Sequence, residues 1–199
     1  MKKLRKNIDL LLLALFVGVV YLGGWQTDVI GFLQRGILAT GLFNADAEVQ
    51  EVTLNEENKL ASFTLIDNNG EPYNSQEYKG KTVFINFWAS WCPPCVAEMP
   101  GIDKLYQDLK DREDIVFLII SEDEDQEKAL SFMKKRSYHF PIYFPGSALP
   151  QSFLHQSIPS TFVISPEGKI VYKHEGMAQY NTDKFKAFLK SFSSSPASE

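Results

Sequence analysis

Residues 82–95 have the sequence TVFINFWASWCPPC, in which an apolar segment leads directly to the two cysteines of the chain, Cys92 and Cys95. Residues 82–88 are rich in β-branched and aromatic side chains, which predicts a buried strand. Residues 97–110 place apolar side chains at helical spacing. The cysteines therefore stand where a strand gives way to a helix, and the start of a helix stabilises a thiolate and lowers its pKa. This environment is typical of a redox-active dithiol.

A cysteine pair with two intervening residues can also bind zinc, attach haem or form a purely structural disulfide. A structural zinc site takes four ligands, whereas there is no third cysteine and the histidines, His139, His155 and His174, are isolated from one another. A haem attachment site needs histidine directly after the second cysteine, and that position is Val96. A structural disulfide stays open as an alternative, although so short a loop constrains the unfolded chain little.

The beginning of the chain has the pattern of a membrane anchor. Residues 1–7 are basic, and residues 8–24 are apolar except for Asp9. About 17 residues of helix cover the hydrocarbon core of a thin bilayer, and the positive-inside rule keeps residues 1–7 cytoplasmic. We therefore expect a single-pass anchor in the cell membrane and a catalytic domain on the extracytoplasmic (periplasmic) side. A cleaved signal peptide is the alternative, since Ala45-Asp46-Ala47 has the form of a cleavage site.

The remaining chain divides into a linker, one domain and a tail. Residues 25–57 are expected to be a linker whose apolar part, residues 29–43, forms an amphipathic helix. That helix would lie on the outer membrane surface, pack on the catalytic domain or serve as an ordinary linker helix. Residues 58–192 suffice for one domain with its own core. The Ser-rich residues 193–199 predict a disordered tail.

The charge of the exported part excludes some classes of function. Residues 1–9 contribute +3 to the net charge of −5, so the rest of the chain carries −8. An acidic domain without a basic stripe is not expected to bind nucleic acid. The acidic residues 122–125 predict a solvated helix N-terminus.

The order of predicted elements indicates an α/β fold. Strands are predicted at residues 60–66, 72–73, 82–88, 115–120, 160–164 and 169–173, and helices at 97–110, 125–136 and 182–192. Ser75 is expected to cap a helical turn that ends near Gly80. The continuous apolar segment 115–120 is typical of a parallel strand covered on both faces. We expect a mixed central sheet with helices on both faces.

Several motifs in sequence order carry a family resemblance. Residues 86–95, NFWASWCPPC, are followed by Glu98-Met99-Pro100, by IPSTF at residues 158–162 and by SPEGKI at residues 165–170. Together they resemble the thioredoxin superfamily, and more narrowly its membrane-anchored extracytoplasmic thiol-disulfide oxidoreductases of the TlpA, ResA and CcmG type. The resemblance implies a thioredoxin-like fold and an enzyme that needs neither a cofactor nor a metal.

The resemblance implies catalytic roles for three residues. Cys92 is the exposed nucleophile that attacks a partner disulfide, and Cys95 is the buried thiol that resolves the mixed disulfide. Glu98 accepts the proton of Cys95, and partial burial would raise its pKa toward a useful range. A surface glutamate without chemistry is the alternative for Glu98.

The residues expected to bind the partner surround the cysteines. The resemblance implies that these are Trp91, Pro93, Ile158 and Pro159. Pro159 would have a cis peptide bond, and the backbone of Ile158 would pair with an extended partner segment. Trp88 is expected to lie in the core.

Two departures from ordinary thioredoxin bear on the chemistry. Asn86 stands where thioredoxin has a buried aspartate, and an asparagine cannot titrate. Pro93 and Pro94 offer no backbone N–H to the sulfur of Cys92, which favours a more reducing couple. Pro100 is expected to kink the helix.

We expect a reductase of disulfides in exported proteins. The resemblance implies apocytochrome c as a substrate and a membrane electron donor of the DsbD or CcdA type. A dithiol oxidase or isomerase is the alternative within the same class, whereas a thiol peroxidase has no support in the double-proline motif. A non-catalytic module that docks partners in the cis-proline groove is the alternative from a different class.

Overall fold

A mixed sheet of seven strands lies at the centre of the computed structural model, which describes residues 2–45 and 62–193. The strands are β1 (Thr64–Asp67), β2 (Pro72–Asn74), β3 (Thr82–Trp88), β4 (Ile115–Ser121), β5 (Ile142–Pro145), β6 (Ser160–Ile164) and β7 (Ile170–Glu175). The α-helices are α1 (Lys2–Leu22), α2 (Gln26–Leu38), α3 (Pro93–Leu109), α4 (Gln126–Arg136) and α5 (Asp183–Ser193). The strand order is β2-β1-β5-β4-β3-β6-β7. Apart from Ser193, the expected tail lies outside the described residues.

The centre of the sheet matches the prediction from apolar content. Every residue of β3 is buried, and β3 pairs in parallel with β4 from Thr82↔Ile115 to Trp88↔Ser121. On its other side, β3 pairs antiparallel with β6. Strands that are apolar along their whole length belong at such a position, since both faces are covered.

Two details near the edge of the sheet differ from the prediction. β5 was not predicted; it pairs in parallel with β4 and antiparallel with β1. It has only four residues. Proline lies on both sides of its apolar part, and because proline usually argues against a strand, the sequence pattern does not indicate β5. The helical turn after β2 is a 3₁₀ helix, Ser75–Tyr78, and its cap is Asn74 rather than Ser75, since the Asn74 side chain accepts a hydrogen bond from the N–H of Gln76.

The expected helices on both faces need a correction. α3, α4 and α5 all contribute to one buried cluster, with Met99, Ala129 and Phe185 among its members. The opposite face packs against the 3₁₀ helices Ser75–Tyr78 and Gln151–Phe153 through Tyr78 and Phe153. The connections β3-α3-β4 and β4-α4-β5 step in one direction across the sheet. Because such crossovers are almost always right-handed, their helices are expected on the same side of the sheet.

The N-terminal residues form two helices that meet at a sharp bend. In the described part of the chain, no single helix is long and apolar enough to cross a membrane. Residues 8–22 of α1 and the whole of α2 are together long and apolar enough, but the two helices meet at a bend of 110°. The amphipathic helix expected within residues 29–43 is α2, which packs on α3 where Gly31 meets Val96.

Candidate active site

The two cysteines lie at the start of α3, as the sequence predicts, and form a disulfide. Cys92 is the N-cap of the helix, and its sulfur accepts a hydrogen bond from the backbone N–H of Cys95 at 3.2 Å. Pro93 is the first helical residue, a position where proline is favoured because its fixed φ suits the helix and its missing N–H would have no partner. The local sequence thus places both sulfurs at the positive end of α3.

The expected exposure of Cys92 is corrected by the structure. Cys92 is only 3% exposed and Cys95 is fully buried. The Cys92 sulfur lies 3.7 Å from the carbonyl oxygen of Ile158. Trp91, in contrast, is 60% exposed beside it. In the disulfide form, the accessible surface next to the cysteines therefore belongs to Trp91 rather than to Cys92.

The residues expected to bind a partner lie on two sides of the disulfide. Trp91 and Ile158 line a groove of about 630 Å³, together with Glu122, Leu149, Pro150, Phe153, Leu154, His155, Gln156 and Ser157. The Ile158–Pro159 bond is cis, as the resemblance implies, and Pro159 is buried. Pro93 lies on the opposite flank, where its carbonyl oxygen faces α2.

Glu98 is buried one turn after Cys95, so the alternative of a surface glutamate is wrong. It is 2% exposed. One of its oxygens accepts a hydrogen bond from Asn86 Nδ2 at 2.8 Å, and the other accepts one from the N–H of Ala178 at 3.2 Å. Burial outweighs these two hydrogen bonds and raises the pKa of Glu98 to about 8. A carboxyl group with such a pKa can exchange protons with a neighbouring thiol near neutral pH.

Asn86 connects Glu98 to the sheet. Its amide nitrogen donates to Glu98 and also to the hydroxyl of Thr161 on β6 at 2.9 Å. The neutral amide of Asn86 is thus hydrogen-bonded to Glu98, the most deeply buried carboxyl group among the described residues. Asn86, which cannot titrate, therefore positions the titratable carboxyl group of Glu98.

The acidic residues 122–125 are not simply a solvated helix N-terminus. Asp125 does cap α4, but Asp123 is buried and accepts hydrogen bonds from the N–H and hydroxyl of Ser90 at 2.9 and 2.7 Å. The hydroxyl of Ser121 donates to Asp123 as well. Asp123 consequently fixes the loop that leads from β3 to Cys92.

Glu122 and His155 form a pair that the sequence did not single out. His155 Nε2 lies 2.9 Å from a carboxylate oxygen of Glu122, and Nδ1 lies 2.9 Å from the carbonyl oxygen of Phe153. Both ring nitrogens therefore face acceptors, and the hydrogen bond to Glu122 raises the pKa of His155. The pair lies in the wall of the groove beside Trp91. Within residues 2–45 and 62–193, three or more potential metal ligands do not come together.

Comparison with known proteins decides the family. The Redoxin family model matches residues 55–188. The chain belongs to the Redoxin family. ResA of Bacillus subtilis, a thiol-disulfide oxidoreductase, is 31% identical over 148 residues, which cover 70% of this chain and 82% of ResA. The thioredoxin-like protein YneN of the same organism is 29% identical over 153 residues, covering 76% of this chain and 89% of YneN.

Solved structures agree with this assignment. The crystal structure of a thiol:disulfide interchange protein of the thioredoxin family from Chlorobium tepidum has a TM-score of 0.59 and 26% identity, covering 68% of this chain and 95% of that one. The fold of this Redoxin family member is thus thioredoxin-like. Its cysteine pair at disulfide distance and its relatives make it a thiol-disulfide oxidoreductase.

Proposed function

We propose that this oxidoreductase is anchored in the membrane and reduces disulfides of exported proteins on the extracytoplasmic side. The observation that carries the proposal is the Cys92–Cys95 disulfide at the start of α3, with Glu98 buried one turn further along the helix. This arrangement provides a dithiol that can be oxidised and a group that can take up the proton of the second thiol.

The reaction proceeds in two exchange steps. The Cys92 thiolate attacks a sulfur of the partner disulfide, forms a mixed disulfide and releases the first partner thiolate. Cys95 then transfers its proton to the carboxylate of Glu98, and its thiolate attacks the Cys92 sulfur. The second partner thiolate leaves, the partner has gained two electrons, and the enzyme has the disulfide described above. Trp91 and Ile158 hold the partner in the groove beside Cys92.

The sequence of the active-site turn supports the reducing direction. Pro93 and Pro94 have no N–H, so neither can stabilise the thiolate of Cys92 by a backbone hydrogen bond. A less stable thiolate makes the dithiol a better electron donor, because the reduced form is then the less favoured one.

The basic residues 1–7 and the apolar residues 8–24 support the location. A helix over the apolar segment would hold the catalytic domain outside the cytoplasm, where no thiol buffer keeps the dithiol reduced. A membrane electron donor of the DsbD or CcdA type would then reduce the Cys92–Cys95 disulfide again. Apocytochrome c is the substrate that we propose from the family resemblance.

Trapping of the mixed disulfide tests this function. A Cys95→Ala variant of the full chain cannot complete the second step, so we expect exported proteins to accumulate on Cys92 as complexes that dithiothreitol releases. The matched control is the double variant Cys92→Ala/Cys95→Ala, which should trap none. Reduction of insulin that survives in a Cys92→Ser variant would contradict the proposal.

A further inference from the structure

Residues 26–45, here called the N-terminal clamp, contact the domain that carries the disulfide at three places. The first is Gly31, on the buried side of α2. A Cβ atom at Gly31 would lie 3.2 Å from Val96 Cγ1 and 3.3 Å from the carbonyl oxygen of Pro93. Both of these residues belong to the first turn of α3, which carries the disulfide. The missing side chain thus lets α2 approach the turn that holds the cysteines, and Val96 is fully buried there.

The second contact joins α2 to α4. The carboxylate of Asp28 forms ion pairs with Arg136 and with Lys135, the latter at 3.5 Å. Because Arg136 is on the last turn of α4, these pairs fasten the beginning of α2 to a helix other than α3. The clamp therefore lies across two helices of the catalytic domain.

The third contact pairs the end of the clamp with the loop before α5. The N–H of Gln179 donates to the carbonyl oxygen of Phe43 at 2.8 Å, and the N–H of Ala45 donates to the carbonyl oxygen of Gln179 at 3.1 Å. Ala45 is 3% exposed and belongs to the buried cluster on the helix side of the sheet. The neighbouring Ala178 donates its N–H to Glu98. The clamp thus fixes the backbone that binds the second oxygen of Glu98.

We propose that the N-terminal clamp determines the chemistry of the redox site by excluding water. Gly31 and Ala45 are the positioning residues that keep water from Glu98 and from the first turn of α3. This inference rests on the proposed function in one respect, namely that Glu98 exchanges a proton with Cys95. It extends that function by making the segment next to the anchor a determinant of the chemistry.

The groups that face Glu98 come from several elements. They are Asn86 from β3, and the N–H of Ala178 and the buried hydroxyl of Tyr180 from the loop before α5. None of them is a cation, so exclusion of water is the main reason that Glu98 retains a proton. Opening of the clamp would admit water and lower the pKa of Glu98 toward its ordinary value.

A matched pair of substitutions near the end of the clamp tests this inference. Ala45→Gln cannot be accommodated in the buried cluster, whereas Leu42→Gln introduces the same neutral side chain at a position that is 80% exposed. The full chain in detergent, reduced beforehand, is mixed with a synthetic disulfide peptide, and the single-turnover rate is measured from pH 5 to 9. We expect the pH of half-maximal rate to fall by about one unit or more in Ala45→Gln and to stay unchanged in Leu42→Gln.

A second pair tests the contact with α3 and does not depend on Glu98. Gly31→Leu forces α2 away from Val96, whereas Gly36→Leu makes the same change where no atom lies within 4 Å. Both substitutions improve helix propensity equally. Water at the opened turn would stabilise the Cys92 thiolate, so we expect the equilibrium with glutathione to shift toward the dithiol. The expected shift is roughly tenfold in Gly31→Leu, equivalent to about 30 mV, and Gly36→Leu should match the wild type.

The outcomes separate the inference from the proposed function. Folded Ala45→Gln and Gly31→Leu proteins with unchanged pH profile and unchanged equilibrium would overturn the inference about the clamp, even if Cys95→Ala still trapped partners. Folding is monitored by near-UV circular dichroism. If Ala45→Gln does not fold, the equilibrium of Gly31→Leu with glutathione alone decides whether the inference holds. If Cys95→Ala trapped no partner while Gly31→Leu shifted the equilibrium as expected, the inference about the clamp would hold and the proposed function would be wrong.

Discussion

At the scale of single residues, the side chain that most affects the chemistry is a carboxyl group removed from water. Glu98 is held by Asn86 and by the N–H of Ala178, and its pKa is raised to about 8 because burial outweighs both hydrogen bonds. Cys95 lies one turn before it on α3. The acid that thioredoxin has on a strand is thus replaced here by an acid on the active-site helix, supported by an amide on the strand.

Replacement of Glu98 by glutamine should remove one inflection from the pH–rate profile. The carboxylate form accepts the proton, so the wild-type rate should rise with pH through about 8. We expect Glu98→Gln to lose this rise and to react at least tenfold more slowly at pH 8, measured as single-turnover reduction of a disulfide peptide. Glu124→Gln, at an exposed position, is the control. An unaltered profile in Glu98→Gln would assign the inflection to another group.

The same pKa predicts how stability depends on pH. The folded protein binds the proton of Glu98 more tightly than the unfolded chain, since the pKa rises from 4.5 to about 8. This contribution to the free energy of unfolding is complete below pH 4.5 and is lost as the pH rises to about 8. Urea unfolding of the disulfide form should therefore show stability that decreases from pH 5 to 8 in the wild type and decreases less in Glu98→Gln. Equal slopes for both proteins would contradict the buried carboxyl group.

Asp123 offers a test of the loop before the cysteines. It accepts hydrogen bonds from Ser90 and Ser121 while buried. Removal of a buried acceptor leaves its donors unsatisfied, so Asp123→Ala should lower the free energy of unfolding by about 1–3 kcal/mol. Glu124→Ala should change it by less than about 0.5 kcal/mol, because the side chain is exposed. Urea titration of both variants makes the comparison, and equal losses would refute the role of Asp123.

At the scale of elements, the segment from Leu149 to Ile158 forms one wall of the groove beside Trp91. His155 stabilises this wall: its ring stacks on Phe87 with centroids 4.7 Å apart, and its two nitrogens face Glu122 and the carbonyl oxygen of Phe153. Glu175 is the other acidic group that acts on His155, and it is paired with Lys173. The positive charge of protonated His155, which is lost as the pH rises, thus stabilises this wall of the groove.

We expect the wall to loosen as the pH rises. The hydrogen bond to Glu122 raises the pKa of His155 above 6.5, so its stabilising effect is complete below pH 6.5 and is lost as the pH passes the raised value. NMR titration of the His155 ring should give a lower pKa in Glu122→Gln than in the wild type. Amide exchange at residues 153–158 should accelerate above that pKa. A His155 pKa that does not change in Glu122→Gln would exclude the pair.

The elements show which features of this fold can be predicted from sequence. β3 and the start of α3 are predictable because apolar content, proline at the first helical position and the cysteines are all local signals. The roles of Asp123 and His155 are not, since Ser90 lies 33 residues from Asp123 and Glu122 lies 33 residues from His155. Sequence leaves three alternatives for α2 for the same reason, because its docking depends on Gly31 meeting Val96 far along the chain.

At the scale of the whole molecule, the clamp and the redox site form one unit. The Redoxin family model begins at residue 55, yet Ala45 is part of the buried cluster that also contains Cys92 and Cys95. α1 precedes the clamp directly. Residues that follow α1 thus contribute to the buried cluster around the disulfide.

The reduction potential of the Cys92–Cys95 couple tests the central claim most directly. The full chain in detergent is equilibrated with thiol buffers of defined ratio, and the fraction of dithiol is measured by alkylation of the free thiols. A reductase requires a value near that of thioredoxin, about −270 mV, at which the disulfide is the stable form and the dithiol donates electrons. A value near that of DsbA, about −120 mV, would make the dithiol the stable form and would contradict the reductase in favour of disulfide formation.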